Sequence, residues 1–342
     1  MELFSISVAI YGFVAVALLL MLALFLGVFN SPHAHIVRYE EEHYFVDSSS
    51  EKRVRFPTLK DDPTVTLSVV IPAYNEQDRL PIMLEECLEY LEEKQKETKG
   101  FTYELIIVSD GSTDKTVEVA SNYSSKFGSD KVRVLELVKN RGKGGAVRLG
   151  MLSARGSVLL FADADGATKF ADFEKLEQYL SILCKADLVK DQAAIAKKFA
   201  IVCGSRAHLE EEAVASRTIF RTLLMHGFHF AVWLLATQKI KDTQCGFKLL
   251  TRETALICFS NLHVERWAFD VELLYIADCF NFPVGEVAVN WTEIPGSKIV
   301  PVLSWIQMGR DLVLIWLRYK IGAWKLSRNP DYSKLFVESA SD

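Results

Sequence analysis

Apolar and polar positions alternate in blocks along this chain, and the blocks predict its elements. Phe4 to Phe29 is uncharged across 26 positions and rich in Leu, Val and Ala. As a helix it would reach about 39 Å at ~1.5 Å per residue, more than a ~30 Å hydrocarbon core. A transmembrane anchor over 1–30 is therefore expected. Glu2 in place of a basic flank, and the length of the run, fit a cleaved leader poorly. Residues 31–62 are polar and mixed and read as a membrane-proximal linker.

From Thr64 the pattern becomes a repeat of strand, polar loop and helix. Thr64–Pro72, Tyr103–Val108, Lys131–Val138 and Ser157–Ala162 are apolar and β-rich, which predicts four buried strands. Leu80, Met83, Leu84, Cys87, Leu88 and Leu91 have helical spacing, so a helix is expected over Leu80–Lys96. A second is expected from an N-cap at Asp114 through Lys126, a third from Gly145 to about Ala154, and a connecting helix in 185–198. The repeat predicts an α/β fold, a mostly parallel sheet flanked by helices. Later apolar stretches, Thr222–Gln238 and Ile299–Trp324, are respectively short and interrupted by charge. They read as amphipathic helices at a membrane interface, with helices packed in the core as the open alternative. The predicted division is anchor 1–30, linker 31–62, nucleotide-binding half 63–206, acceptor-binding half 207–298 with an interfacial helix near 219–238, interface helices 299–325 and a polar tail 326–342.

Composition refines this only a little. Half the residues are hydrophobic, and 39 Lys+Arg against 44 Asp+Glu give a net charge of −5. That excludes a disordered chain and argues against a general nucleic-acid binder. Mean hydropathy is +0.14, a value raised by the apolar stretches above. The six cysteines form no CxxC pair and read as reduced thiols, which favours a cytosolic catalytic part. Arg38, Lys52 and Arg53 after the apolar run point the same way, although Asn122-Tyr-Ser and Asn290-Trp-Thr have the form of glycosylation sequons.

The polar loops all fall at the carboxyl ends of predicted strands, where ligands bind in open α/β sheets. Asp163-Ala-Asp165 offers two carboxylates for a hard cation that also meets substrate phosphates. Asn140-Arg-Gly-Lys-Gly-Gly145 offers backbone N–H groups and two cations for an anion, without Walker A spacing. Tyr74 suits stacking on a base, and Glu76 and Asp110 suit hydrogen bonding to ribose or base. Each of these has an ordinary alternative as a cap, turn or solvated charge. Together they point to a nucleotide diphosphate with a metal.

The order Pro72-Ala-Tyr-Asn-Glu76, Asp110-Gly-Ser-Thr-Asp114, Arg141-Gly-Lys-Gly144 and Asp163-Ala-Asp165 resembles the inverting glycosyltransferase family 2, with its GT-A fold. The stretches Cys203–His208, Asp242–Lys248, Trp267–Glu272 and Asn290–Lys298 narrow the resemblance to members that glucosylate dolichyl phosphate, over nearly the whole chain. That resemblance implies UDP-glucose as donor, dolichyl phosphate as acceptor, and Mg²⁺ or Mn²⁺ as cofactor. It also implies an endoplasmic-reticulum membrane location and contact with membrane lipid; the sequence does not fix the oligomeric state, and a homo-oligomer stays open. Pro72, Tyr74, Glu76, Asp110, Lys143, Asp163 and Ala164 would bind the donor, and Asp163 and Asp165 the metal. Arg206, Ser297 and Lys298 would take the acceptor phosphate. Asp270, with Asp165 and Arg206, would stand at the reaction centre. A mannose synthase using GDP-mannose, a non-catalytic nucleotide-binding scaffold and, less well, a Rossmann oxidoreductase remain as alternatives.

Overall fold

The computed structural model describes residues 12–22, 25, 36–208, 227, 232, 235, 239–295, 303–330 and 336–338. Three short strands come first: β1 (Ile36–Arg38), β2 (Tyr44–Val46) and β3 (Arg53–Arg55). The main run is β4 (Val65–Ala73), α1 (Leu80–Glu97), β5 (Tyr103–Ser109), α2 (Thr116–Phe127), β6 (Val132–Glu136), α3 (Lys143–Leu152) and β7 (Gly156–Ala162). It continues with α4 (Phe173–Cys184), α5 (Gln192–Ala196), β8 (Ile201–Ser205), β9 (Phe247–Thr251), α6 (Arg252–Asn261), α7 (Phe269–Cys279), β10 (Val284–Ala288), α8 (Leu303–Lys320) and β11 (Phe336–Glu338).

Seven strands form the central sheet in the order β10-β8-β9-β7-β4-β5-β6. Successive residues of β4 point to opposite faces, as the strand period requires. Leu67, Val69 and Ile71 join the core beneath α1, α4 and α5, whereas Val70 joins the core beneath α3, α6 and α7. The predicted strands and helices from Thr64 to Ala162 match observed elements to within a few residues. The N-cap of α2 is Lys115 rather than Asp114, but the Asp114 carboxylate still accepts the Thr116 N–H at 2.9 Å. Residues 36–62 pack Ile36, Phe45, Phe56 and Leu59 into the same core as α3.

The sheet is mostly parallel, as expected, with one reversed strand. Strand β9 lies between β7 and β8 and runs antiparallel to both, so the sheet is mixed. The reversal puts Phe247 beside Ala162, the last residue of β7, and so delivers residues 242–248 to the end of the sheet where Asp163 lies.

The membrane parts of the expected fold are corrected. Among the described residues, no helix is long and apolar enough to cross a membrane. The helical residues 12–22 would span about 16 Å at ~1.5 Å per residue, roughly half a hydrocarbon core. Helix α8 has the length but carries Arg310, Asp311, Arg318 and Lys320. This overturns the single-pass anchor and the anchored placement expected from it; positions 1–11, 23–24 and 26–35 lie outside the described residues. Helix α8 docks on the body of the fold: Leu312 packs with Val271, and Ile315 with Ala268 and Trp324. Most of the stretch 219–238 lies outside the described residues.

Candidate active site

The site is built where β4, β5, β7, β8 and the incoming end of β9 converge. After β4, Tyr74 is half-exposed and Asn75 takes a positive φ of 54°. The Asn75 side-chain oxygen accepts the Thr113 N–H at 2.8 Å, which ties the loop after β4 to the loop after β5. Glu76 is buried and gripped by Arg79, whose Nε donates to one carboxylate oxygen at 2.7 Å and whose Nη2 donates to the other at 2.5 Å.

Asp110 organises the next loop. Its two carboxylate oxygens accept the N–H groups of Arg141 at 2.7 Å and Gly142 at 2.8 Å. Burial pushes its pKa up to about 6 despite those hydrogen bonds. Gly111, between the two loops, has φ +65°, and a Cβ there would lie 2.6 Å from the Asn140 nitrogen. Only glycine fits that turn without displacing backbone.

The clamped loop ends at Lys143, the first residue of α3. Its Nζ lies 2.6 Å from Asp163 Oδ1. Burial lowers the Lys143 pKa, but the charges of Asp163 and Asp270 outweigh that and leave it raised. Asp165 accepts the Ala167 N–H at 3.0 Å, and its pKa is raised by burial and then by the neighbouring Asp163 charge. Ala164, between them, is buried. Asp163 also meets the residue before β9: its N–H donates to the Gly246 carbonyl at 3.1 Å. A Cβ on Gly246 would fall 2.0 Å from Asp163 Oδ2, so a side chain here would displace that carboxylate or the backbone.

Behind them lies a buried ion pair. Lys248 is wholly buried, and its Nζ donates to Asp270 Oδ1 at 2.5 Å, to the Cys245 carbonyl at 2.7 Å and to the Thr243 carbonyl at 3.0 Å. All three ammonium protons thus have acceptors. Burial raises the Asp270 pKa, and Lys248 and Lys143 hold it back. On the β8 side, Arg206 forks onto Asp242, its Nε at 2.8 Å from one oxygen and Nη2 at 2.9 Å from the other. Burial opposes the Asp242 charge, but Arg206 overrides it and lowers its pKa. The guanidinium also lies over the Trp291 ring at 5.4 Å.

The structure therefore gathers Lys143, Asp163, Asp165 and Asp270, with Arg206 on the flank. Asp110 serves that cluster through the loop backbone. Ser297 and Lys298 lie outside the described residues. Sequence reasoning assigned no role to Lys248, Asp242, Arg79, Trp291 or Gly246. A signal existed for Lys248, a lysine inside the otherwise apolar run Phe247–Leu250. Arg79 also stood out, as a cation at a helix N-terminus, where the helix dipole disfavours it. The charges of Asp165 and Asp163 raise its pKa after Glu76 does.

The glycosyl transferase family 2 model matches residues 68–255. Dolichyl-phosphate β-glucosyltransferase of Drosophila melanogaster is 59% identical over 298 residues, covering 87% of this chain and 89% of that one. The Homo sapiens protein of the same name is 58% identical, covering 85% and 87%. The chain belongs to glycosyl transferase family 2, among its dolichyl-phosphate β-glucosyltransferases. This bears out the family expected from the loop motifs, and membership makes the clustered carboxylates and cations those of an enzyme. Among solved structures, glucosyl-3-phosphoglycerate synthase of Mycobacterium tuberculosis, solved with Mn²⁺, UDP-glucose and phosphoglyceric acid, is 17% identical with a TM-score of 0.48, covering 77% of this chain and 82% of that one.

Two carboxylates, Asp163 and Asp165, are the protein groups a divalent ion would find. Among the described residues, no group of three or more His, Cys, Asp or Glu side chains could hold a metal. The pair nevertheless fits Mg²⁺ or Mn²⁺, since such ions take one or two carboxylates and fill the remaining positions with phosphate oxygens and water. Burial, and after it the neighbouring Asp163 charge, raises the Asp165 pKa, and a cation between the two carboxylates would offset both.

Proposed function

We propose that this protein transfers glucose from UDP-glucose to dolichyl phosphate with inversion, giving dolichyl β-D-glucosyl phosphate. Family membership supports the reaction. The observation that supports the residue roles is the contact of Lys143 with Asp163, within the electrostatic reach of Asp270, at the carboxyl ends of the strands.

In this reading Pro72, Tyr74 and Glu76 border the uridine, and Tyr74 offers an exposed ring for the base. Asp110 acts by fixing the Arg141–Gly142 backbone, which sets where Lys143 begins its helix. Lys143 meets the diphosphate and stabilises the charge left on departing UDP. Asp163 and Asp165 hold the divalent ion, which when bound supplies a second positive charge to that leaving group.

The nucleophile is a phosphate oxygen. A phosphate monoester has a second pKa near ~6, so at neutral pH it is mostly dianionic and needs no proton removed. The protein's task is to bring two anions together. Arg206 suits it: Asp242 takes Nε and Nη2, which leaves Nη1 to donate to the acceptor phosphate, together with Ser297 and Lys298. Asp270, fixed by Lys248, positions groups at the reaction centre. The test is labelled-sugar transfer to dolichyl phosphate in detergent, comparing UDP-glucose with GDP-mannose. Transfer from UDP-glucose in a metal-dependent manner is expected; preference for GDP-mannose would refute the reading.

A further inference from the structure

A second cavity, of about 480 Å³, is lined by the loop after β6 but by none of Asp163, Asp165, Lys248 or Asp270. Six cationic side chains line it: Lys139, Arg141, Arg148, Arg266, Arg310 and Arg318. They come from three separate places: the β6–α3 loop with α3, the loop before α7, and α8. Nothing local forces such a convergence. Like charges brought together in a partly enclosed space repel more strongly than they would in water.

The acids nearby offset this only in part. Arg141 reaches Glu42 at 3.2 Å and, more loosely, Glu265 at 3.8 Å. Its side chain is 7% exposed, and its Nε is buried with no hydrogen-bond partner among the described residues. Asp311 faces Arg310, Arg266 and Arg318, but burial raises its pKa and disfavours its charge. Arg148 donates its Nε to the Phe259 carbonyl at 3.0 Å, and burial pushes its pKa down to about 10. Arg266 and Arg310 are exposed and form no ion pair among the described residues. The cavity therefore has two arginines at its surface, a buried arginine nitrogen in its wall, and a surplus of positive charge.

We propose that this cavity is a binding site for a phosphate-bearing anion, separate from the sites for donor and acceptor. Five of the six cations are arginines, whose planar forks match phosphate oxygens two at a time. The volume lies within the range of small-ligand pockets and is too large for one orthophosphate, so it suits a diphosphate or a phosphate ester with a further group attached. Leu314 and Trp324 supply an apolar wall for such a group, with the indole stacked on His263 at 4.1 Å. The phosphate could be free in solution or belong to a lipid headgroup.

The test is calorimetric titration of the full chain in detergent with EDTA present, using inorganic pyrophosphate in one arm and dioctanoyl phosphatidic acid in the other. Binding of at least one probe, near one per chain, is expected. Pyrophosphate binding assigns a free phosphate; binding of the phosphatidic acid alone assigns a lipid headgroup. Arg266→Ala/Arg310→Ala should weaken binding at least tenfold, and Lys143→Ala, which removes the donor-site cation, should leave it unchanged. Both altered arginines are exposed; if the double variant fails to fold, Arg310→Ala alone should weaken binding in the same direction. No binding of either probe overturns the proposal. So does binding lost in Lys143→Ala but kept in the arginine variants.

Discussion

Lys248 and Asp270 meet at 2.5 Å with both side chains out of contact with water, one on the reversed strand β9 and the other in the first turn of α7. A charge pair so placed costs a great deal to desolvate, and removing either partner leaves the other stranded. Lys248→Met should therefore lower stability by about 3–5 kcal/mol, measured by denaturant unfolding. It should also move the acid limb of the kcat profile to higher pH, because Lys248 is among the charges that hold the Asp270 pKa down. A Lys248→Met/Asp270→Leu double variant should recover much of the stability and none of the activity. An unmoved acid limb in the single variant would separate Asp270 from turnover.

Gly246 makes a different kind of contact. Since its Cβ would stand 2.0 Å from Asp163 Oδ2, Gly246→Ala must push the carboxylate aside or shift the strand. Overpacking of this kind costs about 1–3 kcal/mol. Placed on a carboxylate proposed to hold the divalent ion, it should weaken the divalent-ion requirement curve by about 10- to 100-fold while the protein still unfolds cooperatively. Titrating activity against Mn²⁺ reads this directly. A variant with the wild-type metal curve would show that Asp163 is not a ligand.

These two cases mark what was legible in the sequence. The loop motifs after β4, β5, β6 and β7 could be placed because periodicity located each strand end, and the carboxyl ends of parallel strands share one edge. Lys248 could be seen as a lysine in an apolar run, but not paired, because its partner is 22 residues away on another element. The antiparallel insertion of β9 was likewise invisible: a buried apolar run reads the same in either direction. The charge on α8 was visible, but the pattern could not tell a face turned to a membrane from one turned to the core; Leu312 and Ile315 pack on α7 and the loop preceding it.

Asp110 yields a pH prediction with a definite sign. Its folded pKa of about 6 lies above the ordinary carboxylate value of 3.8, so between those limits the folded state holds more proton than the unfolded chain. The associated stability is fully present below pH ~4 and is lost as pH rises through ~6. Relative to Asp110→Asn, which does not titrate there, wild-type stability should fall over that window by up to ~3 kcal/mol. Unfolding free energies of both proteins at pH 4, 5, 6 and 7 test it. A difference that is flat or changes in the opposite direction would mean that Asp110 is not the buried acid described.

Asp270→Asn separates positioning from proton removal. The acceptor phosphate is already largely dianionic at pH 7, so a base contributes little. The amide keeps the shape but loses the charge that meets Lys248 and Lys143. Activity should drop at least 100-fold and stay low when the pH is raised to 9. Full recovery at high pH would identify Asp270 as the general base instead.

Arg206 is held by a fork, and that decides what can replace it. Asp242 accepts from Nε and Nη2 in parallel, and the same carboxylate accepts the Arg206 backbone N–H at 2.9 Å. The guanidinium is thereby fixed with Nη1 turned away from Asp242. Arg206→Ala should raise the KM for dolichyl phosphate at least tenfold and change that for UDP-glucose little. Arg206→Lys should fail to restore it, because an ammonium cannot both pair with Asp242 through two atoms and present a third. Asp242→Asn should follow the same pattern in weaker form, since it loosens the fork without deleting the cation. Initial rates with each substrate varied in turn distinguish the cases, and a larger change in the donor KM would move Arg206 to the nucleotide side of the site.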